Sequence, residues 1–159
     1  EIDLLAFSGA RVAHCPTANF FLNSGLCPVH SLRSAGIPVG LGSDVAAGPE
    51  LNLWQVMRSA IETQGVRRML DDSIPGLTPA DAIYLATLGG ASVLGKDKII
   101  GSLDQGKEAD LLLLDLNHIL PLDGRFSGDL DPQDIATTLV YRGGPQATVA
   151  TFTRGRQMV

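Results

Sequence analysis

The sequence predicts an α/β fold: two parallel strands, each followed by polar residues, backed by helices and trailed by a small β layer. Three observations carry this. The run Gly36-Ile37-Pro38-Val39-Gly40-Leu41-Gly42 is short, apolar and uncharged, the pattern of a strand covered on both faces, and it breaks at once into Ser43-Asp44. A second short run, Ala10-Arg11-Val12-Ala13-His14-Cys15, precedes it, with a short amphipathic stretch between them. Beyond about Gly95 the helical period gives way to alternating and purely apolar segments. Consecutive strand–helix–strand units of this kind make parallel pairs with right-handed crossovers.

The elements follow in order. Glu1 to Ser8 begins without methionine, inside an amphipathic pattern of Ile2, Leu4, Leu5 and Phe7 that ends at Gly9. We therefore expect an excerpt of a longer chain or a truncated product. Ala10 to Cys15 is a strand stopped by Pro16, and Pro16-Thr17-Ala18-Asn19 is expected to be a polar turn, with a loop from Phe20 to Gly25. Pro28 opens a short helix through Val29, Leu32 and Ala35 that stops at Gly36. Pro38 fits only at the first position of the strand that follows, where no ladder hydrogen bond is lost.

After the loop Val45 to Pro49, Asn52 caps a helix from Leu53 to about Gly65, with Leu53, Val56, Met57, Ala60 and Ile61 as its buried stripe. Arg67 to Gly76 reads as loop or broken turn, its arginines solvated. Thr78-Pro79-Ala80-Asp81 starts a helix: a threonine cap, proline at the first position and an acid at the third. That helix runs to about Leu88, burying Ile83, Leu85 and Ala86; Gly89-Gly90 interrupts it, and a short helix reaches Gly95. Leu103 to Lys107 is a turn, Ala109 to Leu114 a strand, Pro121 to Asp134 a loop, and Thr137 to Tyr141 a candidate strand. Ala147 to Thr153, followed by Arg154-Gly155-Arg156, reads as a hairpin. The division expected is 1–95 for the α/β part and 96–159 for the β part.

The 159 residues carry a net charge of -5, and 45% are hydrophobic against 18% charged, enough to fill one core. A complete eight-stranded β/α barrel, typically about 250 residues, does not fit in this length. Basic residues cluster only at Arg67-Arg68, which argues against a nucleic-acid surface. No segment nears the roughly 18 unbroken apolar residues of a membrane span, so membrane partners are not expected and the cytoplasm is the default. Cys15 and Cys27 are too far apart for a CxxC motif and read as buried thiols.

Asp44 is the leading candidate for chemistry, because ligands of α/β folds bind at the carboxyl ends of parallel strands. A cap of the following turn is the equally open alternative. Such a carboxylate can hold a metal and take a proton from bound water, provided imidazoles complete the set. His14 has three readings: a metal partner, a rim histidine bonding substrate, or a packed residue. His30, behind the strand, and His118, in the β layer, read as surface groups, and the three histidines share no HxH, HxxxH or HExxH spacing. Gly40-Leu41-Gly42 lacks the third glycine of a dinucleotide loop, and no Walker Gly-Lys-Ser/Thr occurs.

An ordered set of short motifs spans most of the chain: Ala13-His14-Cys15-Pro16-Thr17-Ala18-Asn19, Ser24-Gly25, Gly40-Leu41-Gly42-Ser43-Asp44, Leu85-Ala86-Thr87-Leu88-Gly89-Gly90-Ala91, Ile100-Gly101-Ser102-Leu103 and Gly106-Lys107-Glu108-Ala109-Asp110-Leu111. The set resembles the amidohydrolase superfamily, and within it the guanine deaminases; Val45-Ala46-Ala47-Gly48 is the stretch that favours guanine over other heterocycles. The resemblance implies strands seven and eight of a (β/α)8 barrel, a TIM-like barrel, followed by part of a small β-sandwich. It implies that Asp44 is the strand-eight aspartate, a zinc ligand and the catalytic proton shuttle, and that His14 and Asn19 line or shape the mouth of the substrate pocket without binding the metal. The remaining histidine ligands of the family would lie upstream, so the chain alone is expected to be inactive. Ser43 stands where threonine is commoner.

The implied reaction is zinc-dependent hydrolytic deamination of guanine to xanthine and ammonia, by a homodimeric full-length enzyme acting on a small-molecule purine. Two alternatives remain. One is an amidohydrolase for a hydroxytriazine, cytosine or adenosine-like substrate; the other is a non-catalytic interaction module whose open strand edge needs a partner.

Overall fold

The computed structural model describes residues 1–119 and 131–158. Its elements are α1 (Ile2–Ser8), β1 (Val12–His14), α2 (Pro16–Phe21), α3 (Val29–Ser34), β2 (Val39–Leu41), α4 (Leu53–Leu70), α5 (Pro79–Ala86), α6 (Leu88–Val93), β3 (Leu111–Leu114), α7 (Pro132–Arg142), β4 (Thr148–Thr153) and β5 (Arg156–Gln157), with short 3₁₀ turns at Leu116–His118 and Pro145–Ala147.

Strands β1 and β2 pair in parallel, with Val12 opposite Val39, Ala13 opposite Gly40 and His14 opposite Leu41. Strand β4 lies between β3 and β5 in an antiparallel sheet. The β4–β5 turn has Arg154 at φ 51° and Gly155 at φ 74°, the double left-handed geometry whose twist matches a two-residue hairpin. The described residues thus form a small α/β unit with one parallel and one antiparallel sheet, without a closed barrel among them.

The core forms where helices cover β2. Val29 and Leu32 of α3, Ile37, Val39 of β2, Ala60 of α4, Leu85 of α5 and Leu77, just before α5, bury one another. Met57 of α4, Ala82 of α5 and Val140 of α7 make a second cluster beside it. The expected start of α5 is present in full: Thr78 Oγ1 accepts from the Asp81 amide at 3.1 Å, and the Asp81 carboxylate accepts from the Thr78 amide at 3.0 Å. Burial works to raise the Asp81 pKa, but these bonds and the Arg33 guanidinium prevail and hold the carboxyl below its usual range.

Five local expectations are corrected. Pro16 to Asn19 is not a turn but the first part of α2, because Pro16 sits at the first helical position, where its missing N–H costs nothing. Helix α4 continues past Gly65 to Leu70, with Arg67 bonding the Cys27 carbonyl at 3.4 Å and the Gln64 side chain at 3.5 Å. Basic residues in a last turn also complement the helix dipole. The deep stripe of α4 runs Val56, Met57, Ala60, Thr63 and Gln64, while Leu53 is exposed and Ile61 only partly covered.

The break between α5 and α6 falls at Thr87, whose φ −113°, ψ −93° is not helical, rather than at the glycines. Gly89 and Gly90 lie inside α6, where β2 presses on them: a Cβ on Gly40 would stand 2.7 Å from Gly90 Cα, and one on Gly89 would stand 2.8 Å from the Val39 carbonyl oxygen. Finally, Thr137 to Tyr141 is helix, not strand. Asp131 caps α7 through the Gln133 amide, Pro132 occupies its first position, and docking of the fully buried Val140 overrides the β-branched composition. The loop expected over Pro121 to Asp134 lies outside the described residues as far as Leu130, and Pro132 to Asp134 is helical.

Candidate functional site

Asp44 stands three residues beyond the end of β2, as the strand's abrupt polar ending requires. Its residue is exposed, and among the described residues no hydrogen bond or ion pair reaches its carboxylate. Its backbone has φ 49°, in the left-handed region, which aspartate tolerates better than most side chains. The Asp44 carbonyl accepts from the amides of Ala47 at 3.1 Å and Gly48 at 2.7 Å, so the chain turns back immediately after it. Asp44 therefore closes a turn through its main chain while its side chain stays free. Among the described residues, the Asp44 side chain caps nothing.

Two residues before Asp44, the Gly42 amide donates to the His14 carbonyl at 3.0 Å, extending the parallel pairing and holding the ends of β1 and β2 level. The next residue of that chain, Cys15, donates its thiol to the Ala13 carbonyl at 3.7 Å. Burial raises the Cys15 pKa, and the negative charge of Asp44 raises it further, which marks the thiol as a neighbour of the carboxylate. Cys27 is raised too, by burial first, with Arg67 opposing and Cys15 adding. Both thiols are free and half-buried, where buried thiols were expected.

His14 is 2% exposed, and neither ring nitrogen has a partner. Burial alone pushes its pKa down from 6.5 to about 4, so the imidazole is neutral at physiological pH. Asn19 is half-buried on α2, where its backbone amide donates to the Cys15 carbonyl at 2.9 Å and its backbone carbonyl accepts from the Ser24 amide at 2.9 Å. His14 ends β1 and Asp44 lies three residues past β2, at the same end of the parallel sheet, and Asn19 follows on α2. His118 is at the surface, with Nδ1 3.0 Å from the Gln146 carbonyl oxygen, but His30 is not: it is half-buried and its Nε2 lacks a partner.

A large apolar cavity of about 1020 Å³ lies elsewhere, between the two sheets, lined by Gly40, Trp54, Met57, Ile83, Leu111 and Phe152 among others. Asp44, His14 and Asn19 are not among its lining residues.

The zinc expected from the resemblance is not supported. Among the described residues, no group of three or more histidine, cysteine, aspartate or glutamate side chains could hold a metal ion. Asp44 has no imidazole beside it that completes a set, His14 being enclosed and His30 and His118 lying on other elements. Among the described residues, no helix is long and apolar enough to cross a membrane.

What sequence reasoning missed is the platform beneath Asp44. Cys15 is the N-cap of α2 and Ala18 lies within it, and the cue was Pro16 itself, which reads as a helix start as well as a strand stop.

Comparison with known proteins gives the family. The guanine deaminase of Mus musculus is 32% identical over 163 residues, covering 100% of this chain and 36% of its own length. The 5-methylthioadenosine/S-adenosylhomocysteine deaminase of Moorella thermoacetica is 38% identical over 154 residues, 94% of this chain and 33% of its own length. In three dimensions the E. coli guanine deaminase superposes with a TM-score of 0.86 at 31% identity, covering 100% of this chain and 36% of that one. The chain therefore spans about a third of the length of the curated relatives it matches. The amidohydrolase family matches residues 1–158, nearly the whole sequence, and to that family this chain belongs.

Proposed function

We propose that this chain is the C-terminal portion of a guanine deaminase, which hydrolyses guanine to xanthine and ammonia, and that it contributes Asp44 to the reaction. The observation that carries the proposal is the free, exposed carboxylate of Asp44 at the carboxyl end of a parallel strand, in a chain that follows guanine deaminases along its whole length. In this reading β1 and β2 are strands seven and eight of a (β/α)8 barrel, and β3 to β5 belong to a small β-sandwich.

Deamination by water needs a group that removes a proton from the attacking oxygen and returns one to the departing nitrogen. Guanine and water then give the tetrahedral adduct at the carbon bearing the exocyclic amine, the C–N bond breaks, and xanthine and ammonia leave. An unpaired aspartate is suited to both transfers, because no bond must be broken before it accepts the proton. Asn19 and His14 would form the wall beside it, Asn19 by contact with substrate and the enclosed His14 by shape. A cytoplasmic, homodimeric full-length enzyme acting on a small purine belongs to the same reading; the free Cys15 and Cys27 are what a reducing compartment maintains.

A second reading has its own support. The Moorella thermoacetica 5-methylthioadenosine/S-adenosylhomocysteine deaminase is more identical, at 38%, than the mouse guanine deaminase at 32%. The assay is turnover of guanine, 5-methylthioadenosine and S-adenosylhomocysteine by the full-length protein and by the 159-residue chain. We expect guanine to be deaminated by the former only, and Asp44→Asn to lower that rate by about 10²–10⁴-fold, the usual value of a positioned general base. Turnover of the adenosine-type substrates without guanine would select the second reading. Full activity in Asp44→Asn would remove Asp44 from the mechanism.

A further inference from the structure

The loop that carries Asp44 is pinned at two points, to Cys15 at the N-cap of α2 and to Ala18 within that helix. A Cβ on Gly42 would meet Cys15 Sγ at 3.0 Å, and a Cβ on Gly48 would meet Ala18 Cβ at 2.7 Å and Ala18 Cα at 2.9 Å. Ala18 is 1% exposed and Gly48 is buried, so loop and helix touch there with no atom to spare. Between these anchors the chain makes a turn that two L residues would not choose: Asp44 has φ 49° and Ala46 has φ 84°. The Gly48 amide closes this turn on the Asp44 carbonyl at 2.7 Å, and Val45 and Gly48 form an isolated bridge. Left-handed backbone at such positions persists only where the surroundings enforce it.

We propose that Ala18 and Gly48 are positioning residues for Asp44: their contact clamps the Asp44–Gly48 turn and thereby sets the direction in which the carboxylate leaves the sheet. The proposal rests on the reading of Asp44 as the reacting group. Neither Ala18 nor Gly48 has a polar side chain to offer a substrate, and both act through the backbone they hold. The requirement at Gly48 is steric. Its own φ is not left-handed, so alanine is barred there by Ala18 rather than by conformation.

The clamp is tested by moving one methyl group across it. Gly48→Ala overfills the contact and Ala18→Gly empties it, whereas the double variant places the methyl on the opposite side of the same space. The readouts, on the 159-residue chain, are the NMR three-bond HN–Hα coupling and carboxyl carbon shift of Asp44, with hydrogen exchange at the amide of residue 48. In each single variant we expect that amide to exchange about tenfold faster or more, and the Asp44 signals to move. The double variant should return both toward wild type. Gly65→Ala, whose Cβ would meet nothing within 4 Å, should leave them unchanged.

Wild-type Asp44 signals and exchange in a folded Gly48→Ala variant would overturn the proposal. If that variant does not fold, Ala18→Gly alone decides: faster exchange at residue 48 supports the clamp, and unchanged exchange overturns it. None of these readouts involves turnover, so failure of the clamp is distinguishable from failure of the deaminase assay.

Discussion

Replacing His14 with glutamine should remove the pH dependence of stability that this imidazole contributes between pH 6.5 and 4. The His14 imidazole is enclosed and has no hydrogen-bond partner, and burial lowers its pKa from 6.5 to about 4. The unfolded chain binds a proton at this residue below 6.5, whereas the folded chain accepts it only near 4. In that window the unfolded state holds more protons, so stability is fully present above pH 6.5, falls as the pH drops, and levels off below about pH 4. At about 1.4 kcal/mol per pKa unit, the whole loss is about 3 kcal/mol, of which about 2 kcal/mol has gone by pH 5. That is a large share of a typical domain's stability of roughly 5–15 kcal/mol.

Urea unfolding of wild type and His14→Gln at pH 8, 6 and 5 measures the difference, and NMR titration of the His14 ring protons gives the pKa directly. Carboxylates held low by their partners, such as Asp81, lose their contribution at lower pH and cancel between the two proteins. Parallel stability curves, or a His14 that titrates near 6.5, would refute the enclosed neutral imidazole.

Three further perturbations probe the packing. Gly40→Ala drives a methyl into the backbone of α6, 2.7 Å from Gly90 Cα and 2.9 Å from its nitrogen, and should cost about 1–3 kcal/mol in chemical denaturation. Leu85→Ala empties a fully buried position between α5 and β2 and should cost about 2–5 kcal/mol, lowering the midpoint of thermal unfolding. Thr78→Ala removes one half of the capping box and should cost about 1 kcal/mol by urea titration, while Thr78→Ser, which keeps the hydroxyl, should cost much less.

Much of this chain can be read from local chemistry. The uncharged run before Asp44, the cap at Thr78, the cap at Asn52 and the turn at Arg154-Gly155 are signals a few residues long, and each element they announce is present. Asp44 was legible for the same reason: a strand that ends abruptly in a carboxylate exposes it. Errors arose where two local signals compete. Pro16 stops a strand and starts a helix, and Thr137 to Tyr141 has strand composition but follows a helix cap.

The sequence by itself determined the α/β class, the order of most elements, membership of the family and the carboxylate at the strand end, because periodicity, caps and motifs are written within short stretches. Only the tertiary structure decided that α7 is a helix, that Gly89 and Gly90 serve close packing rather than a break, that His14 is sealed away without a partner, and that the described residues do not assemble a metal site. Each of these depends on what distant segments bring to one place: burial of Val140 outweighs local propensity, and a ligand set requires side chains that converge in space.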